Sequence, residues 1–235
     1  MPDTPRFDPD NSDWKLQLEP VYRLYAALAR GMDPDFGLGG KLLYAGELHE
    51  DGSRLVRAAN IAGAASLAAS ADQDALRRAN RDGVADFLVT SLDEALRILK
   101  NEVRKRQAVS VAVSVEPSEM VAEMLERGLL PDLLPPAEWK ASGADLSGFL
   151  AHGARPLAID QLSDSPAFSQ VFKVWARVSQ DFDDVALAAI PENDHLNRRW
   201  LRLSPRYLGP AARRIRSFAC TAETAARLNS ALASR

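Results

Sequence analysis

Apolar positions recur at two periods along the chain. In "LEPVYRLYAALARG" Val21, Leu24, Tyr25 and Leu28 fall on one helical stripe, with Gly31 as the expected stop. "KLLYAG" (41–46) predicts the first strand, and Ser53 is expected to cap the alanine-rich helix that follows. "AASLAAS" (64–70) reads as a second strand or as the end of that helix, and its alanines favour helix. "VADFLVT" (84–90) predicts a short strand buried on both faces. Ser91, Leu92, Asp93 and Glu94 then match a capping box, in which hydroxyl and carboxylate each satisfy a free backbone N–H. Leu92, Ala95, Leu96, Leu99 and Val103 continue at helical spacing. "AVSVAVSV" (108–115) alternates valine with Ser or Ala, so both of its faces can be covered. Pro117 suits the first turn of "PSEMVAEMLERG", Gly128 ends it, and "LLPDLL" predicts another strand.

Strands alternating with one-sided helices over short connections imply parallel strands and right-handed crossovers. The expected fold is therefore α/β: a doubly wound, Rossmann-like parallel sheet with helices on both faces. An N-terminal helix and a C-terminal α/β extension complete it. Residues 1–13 read as a mobile tail, 14–135 as the core and 136–165 as a linker or shortened insertion. Residues 166–235 read as an α/β part packed on the same domain. In that part "VFKVWARVS" and "RRIRSFACT" predict strands, while "DFDDVALAAI", "NDHLNRRWLRL" and "AETAARLNSALASR" predict helices.

Composition narrows the class. At 235 residues, with 46% hydrophobic and 26% charged positions, the chain can bury a sizeable core. A net charge of −3 gives no general attraction to nucleic acid or acidic membranes. The single cysteine, Cys220, excludes an internal disulfide and suits a reducing compartment. Without a secretory start or a long apolar run, the expectation is a soluble, cytoplasmic protein.

Four blocks, "GGKLLYAGEL", "SLDEALRILKNEVRKRQAVSVAVSV", "EMLERGLLPDLL" and "PENDHLNRRWLRL", resemble in this order segments of the central domain of urocanate hydratase. The resemblance covers most of 22–135 and 190–235. It implies a dinucleotide-type parallel sheet. In that family NAD+ acts as an electrophile that adds to the imidazole ring of urocanate while water is added. The chain is shorter than the family norm, so the N-terminal substrate-binding domain and the C-terminal continuation of the cofactor site are expected to be missing. The family's glycine-rich turn keeps only Gly46 and Gly52, and an Asn after the third strand is replaced by Glu116. The acidic residue expected after the second strand falls near Ser70, with Asp72 close by. "PPAEWKASG" stands in place of a Thr-Ser-Ala-His-Asp segment, and a family cysteine falls near Ile159.

Glycines at such a turn let the backbone approach a pyrophosphate and aim free N–H groups at it. A carboxylate of Glu47, Glu50 or Glu116 in contact with a phosphate would cost roughly 4 kcal/mol per charge pair at an effective dielectric near 20. That is about a thousandfold in affinity. The expectation is a urocanase-like protein that has lost NAD-dependent chemistry and serves as a small-ligand-binding or self-associating module. Urocanate hydratase activity within a larger assembly is the alternative, with NAD as its cofactor. The candidate pocket comprises Gly46, Glu47, His49, Gly52, Thr90, Ser91 and Glu116, with no catalytic residue assigned. His49 with Glu47, Glu50 and Asp51 has metal-ligand chemistry, but no helix or strand spacing fixes those residues, so a solvated turn is expected. The expected partners are an unidentified small molecule and a homodimer mate or partner protein, with no membrane. Nucleic acid is not expected, although Arg198, Arg199, Arg202, Arg206, Arg213, Arg214 and Arg216 form a basic stretch. Those arginines are expected to cover the acidic remainder of the fold or line a subunit contact.

Overall fold

A computed structural model describes residues 13–139, 144–159, 170–176, 178–179 and 181–233. The segment read as a mobile tail lies, up to residue 12, outside the described residues, as do 140–143 and 160–165 of the expected linker.

Helix α1 (Asp13–Leu28) precedes strand β1 (Leu42–Glu47). Then follow α2 (Glu50–Ala62), β2 (Ala65–Ala69), α3 (Gln73–Arg81), β3 (Phe87–Val89), α4 (Leu92–Arg104) and β4 (Ser110–Val113). Next come α5 (Pro117–Glu126), β5 (Leu133–Leu134), α6 (Ser147–Ala151) and β6 (Arg155–Pro156). These six strands form one sheet in the order β3-β4-β2-β1-β5-β6, and every pair is parallel. The order reverses between β1 and β5, the place where open sheets of this kind take ligands at their carboxyl ends. It is a doubly wound, Rossmann-like α/β fold.

Strand alternation divides the interior in two. Leu43, Ala45, Ala68 and Ala112 face a core shared with α1, α2 and α3, whereas Tyr44, Leu67, Val111 and Val113 face α4, α5 and α6. The first core also receives a C-terminal unit in which β7 (Val171–Ala176) pairs antiparallel with β8 (Ile215–Cys220). Around that pair lie α7 (Phe182–Ala189), α8 (His195–Tyr207) and α9 (Ala222–Ala233). A polar seam fixes the unit to α1. The Tyr22 hydroxyl donates to Asn197 Oδ1 at 2.7 Å, and Tyr25 donates to the Leu196 carbonyl at 2.9 Å. Asn197 donates in turn to Asp194 and to the Ala219 carbonyl, and Trp200 sits edge-on against Tyr22 at 5.1 Å.

The structure corrects the sequence reading in four places. "AASLAAS" holds strand β2, which lies fully buried between β1 and β4, so central-sheet burial overrides the helix preference of alanine. β3 is an edge strand, and Phe87 and Leu88 are 46% and 40% exposed instead of buried on both faces. Ser53 lies inside α2, because the chain already turns helical at Glu50 and His49 takes the cap position. The sheet also continues past residue 135, where α6 and β6 add a sixth strand ending on Pro156.

Candidate functional site

Four helices start at the carboxyl end of this sheet, after β1, β2, β3 and β4. At the first, Gly46 has φ +75°, a left-handed backbone favouring glycine, and the β1–β2 register slips there. Gly52 answers a different need. A Cβ on it would lie 1.9 Å from the Glu47 carbonyl oxygen, so the first turn of α2 packs directly on the end of β1. His49 occupies the N-cap position without capping by its side chain. Its Nε2 instead lies 3.1 Å from Glu47 Oε2. Arg54 folds back over the same turn, bonding Glu50 and, at 3.0 Å, Asp51.

The remaining predicted residues lie elsewhere. Glu116 follows β4, two strands from β1, as the N-cap residue of α5, and Thr90 and Ser91 follow β3, three strands away. With strands spaced about 4.8 Å apart, these are lateral separations of roughly 10 and 14 Å. Of the seven, only His49 is among the residues that line the cleft described below. Thr90 and Ser91 are engaged locally. Thr90 N and Oγ1 donate to Glu94 Oε2 at 2.8 and 3.1 Å, and Ser91 Oγ accepts the Glu94 N–H at 3.3 Å. The first of these bonds holds the Glu94 carboxyl below its ordinary value. Asp72, beside the position of the family's acidic residue, caps α3 by accepting from Asp74 N at 2.8 Å and Ala75 N at 3.1 Å. Those two bonds hold its carboxyl low as well, the Ala75 bond most. Glu116 is exposed at the start of α5, where its side chain makes no capping bond.

His49 does line a cleft, one that the sequence did not reveal. Positions 14, 17, 18 and 21 of α1, 50, 53, 54 and 57 of α2, and 75, 78 and 79 of α3 with its C-cap residue Asp82 converge on a space of about 470 Å³. Each set repeats as i, i+3, i+4, i+7, one helix face apiece. Arg57 forms part of its wall, donating to the Tyr207 carbonyl at 2.6 Å and the Asp82 carbonyl at 3.0 Å. Burial lowers the pKa of that guanidinium. Arg78 is freer: its acidic partner, Asp72, lies at 3.7 Å, and just over half of its side chain is exposed. The recognisable signal was the polar spacing Ser53, Arg54, Arg57, but its partners on α1 and α3 are distant in sequence.

The basic stretch acts mainly on backbone. Arg198 donates to the Leu187 and Ile190 carbonyls at the end of α7, and Arg199 donates to the Ile61 carbonyl at the end of α2. Only Arg216 makes the expected acidic pair among these three, binding both oxygens of Asp183 at 2.6 and 2.8 Å. Cys220 is buried, and burial raises its thiol pKa. Among the described residues no group of three or more His, Cys, Asp or Glu is placed to hold a metal ion. None of the described helices is long and apolar enough to cross a membrane.

An open parallel sheet with a left-handed glycine near the end of its first strand, followed by a glycine that seats the next helix, defines a Rossmann-like domain. The family model of the urocanase Rossmann-like domain matches residues 22–163, more than half of the chain. The chain belongs to the urocanase family. The match takes in α1 from Tyr22 through β6, and it ends before β7.

Proposed function

We propose that this urocanase-family chain does not hold NAD+ in the family's manner and works as a small-ligand-binding domain. The observation that carries this reading is the first turn of α2. Glu47, Glu50 and Asp51 surround the helix start where a pyrophosphate would seat, and Arg54 is already engaged by two of them. Gly52 opens no space for phosphate, since the Glu47 carbonyl occupies the volume beside it. The residues present do not fit the cofactor's diphosphate, and no step is assigned through it. Calorimetric titration of the full chain with NAD+ at moderate salt is the test. No heat of binding up to millimolar cofactor is expected, and micromolar binding would overturn the reading.

Self-association is a second role, favoured by the apolar edge at Phe87 and Leu88. Sedimentation should then show a dimer that Leu88→Lys dissociates. Family membership itself favours the other alternative, urocanate hydratase activity within a larger assembly. That alternative requires loss of urocanate absorbance when NAD+ and urocanate are supplied.

A further inference from the structure

We propose that the cleft between α8 and the loop before β1 is a binding site for the phosphate group of a small molecule. The site goes beyond the reading above. It is bordered by the connections that lead into β1 and β2, at the amino end of the sheet, opposite the first turn of α2. His195, Arg198, Arg199 and Arg202 repeat as i, i+3, i+4, i+7 along one face of α8 and meet Pro34 and Asp35 around a space of about 310 Å³. That volume lies at the lower end of the range of about 300–1,000 Å³ usual for small-molecule sites.

Partners separate these arginines from others of the chain. Arg54 and Arg216 are closed on carboxylates. Among the described residues no ion pair takes up Arg198, Arg199 or Arg202. Arg198 uses only Nη1, on the Leu187 and Ile190 carbonyls, and Arg199 only Nε, on the Ile61 carbonyl. A guanidinium carries several further N–H donors, so each of the two is anchored and still keeps a free edge. Arg199 is also held sideways. A Cβ on Gly37 or Gly63 would lie 2.7 Å from its guanidinium, so glycine at both positions leaves it room. Arg202 is exposed and free to close over a bound group.

Charge sets the class of ligand. The lining sets three arginines against one carboxylate, Asp35, an excess of two positive charges that matches a phosphate dianion. Asp33 and Asp194 flank the lining, but Asp33 accepts the Asp35 and Phe36 N–H groups and both oxygens of Asp194 accept from Asn197. Glu192, exposed in the turn before α8, pairs with none of the three arginines. Arg106, over the Phe36 ring, adds a further cation on the side of Asp33. Guanidinium forks suit phosphate through paired N–H donors, and two anchored forks lose little freedom on binding.

The test titrates the full chain at low salt with inorganic phosphate, glycerol 1-phosphate and acetate, read by calorimetry and by backbone amide shifts in NMR. Phosphate should bind with a dissociation constant on the order of 1 mM, and the ester at least as tightly. Shifts should centre on residues 34–35 and 195–203. Acetate should bind at least about tenfold more weakly, and phosphate affinity should fall as salt rises. Arg202→Gln, at an exposed position, should weaken phosphate by about tenfold. Asp35→Asn should tighten it by about threefold. Arg206→Gln, one turn beyond the lining, should change it by less than about twofold, which separates the site from a general effect of net charge. An unchanged urea midpoint shows that each variant is folded. Equal affinity for acetate, rejection of the ester, indifference to salt or to Arg202→Gln, an equal loss with Arg206→Gln, weakening by Asp35→Asn, or shifts centred on the first turn of α2 would each overturn the proposal. The two readings fail separately. Micromolar NAD+ binding that survives Arg202→Gln would remove the reading of lost cofactor binding, whereas silence toward phosphate removes only this site.

Discussion

Helix α4 opens with side chains of its own on two amides: Ser91 accepts the Glu94 N–H, and Glu94 reaches back to Thr90. Helix α2 opens at the same end of the same sheet with no side-chain cap, yet with three acids and a histidine around it. The N-terminus of a helix draws negative charge either from its own chain or from a ligand. At α4 the chain supplies both charge and hydrogen bonds. At α2 it supplies charge alone, and Arg54 answers the acids in turn. The contrast separates two properties often found together: an uncapped helix start and a start that welcomes an anion.

Substitutions can break or sharpen this contrast. The largest effect should come from Gly52→Ala, whose methyl would meet the Glu47 carbonyl at 1.9 Å. A loss of about 3 kcal/mol in urea unfolding is expected, because backbone must move. Next, Ser91→Ala should cost about 1 kcal/mol, whereas His49→Ala should change stability by less than about 0.5 kcal/mol, since no cap is lost. His49→Ser should stabilise by about 0.5 kcal/mol if the α2 start is simply uncapped.

The smallest expected effect is one of pH. Glu94 has a folded pKa below its ordinary value of 4.5, so its stabilising share is present above that value and vanishes as pH falls through the folded one. Stability curves of the wild type and Glu94→Gln should differ at neutral pH and converge in acid. A gap that widens on acidification would contradict the cap at α4.

Where local chemistry decided the structure, residue order alone was informative. The Ser91–Glu94 cap, the valines of β4 and Pro117 at the head of α5 are of this kind. Where neighbours decided it, the sequence was silent or misleading. β3 has the composition of an inner strand, but among the described residues no strand covers its outer side. β2 has the composition of a helix, and its two flanking strands hold it extended. β6 is two residues long and ends in proline, too short for any period to show. For the candidate site, Gly46 and Gly52 were recognisable as a turn, while their separate duties needed coordinates. The cleft escaped notice because its three faces come from helices tens of residues apart. The arginines of α8 were expected to cover acidic surface or line a subunit contact; Arg198 and Arg199 end on carbonyls at helix C-termini, where positive charge is also favoured.

The bond from Tyr22 to Asn197 joins positions 175 residues apart. On a ribosome adding about 5–20 residues per second, the first helix would wait roughly 10–35 s for the partner that completes its burial. During that interval Tyr22 and Tyr25 stand as a sticky aromatic surface on an unfinished chain. The seam between α1 and the C-terminal unit can therefore close only after α8 has been made.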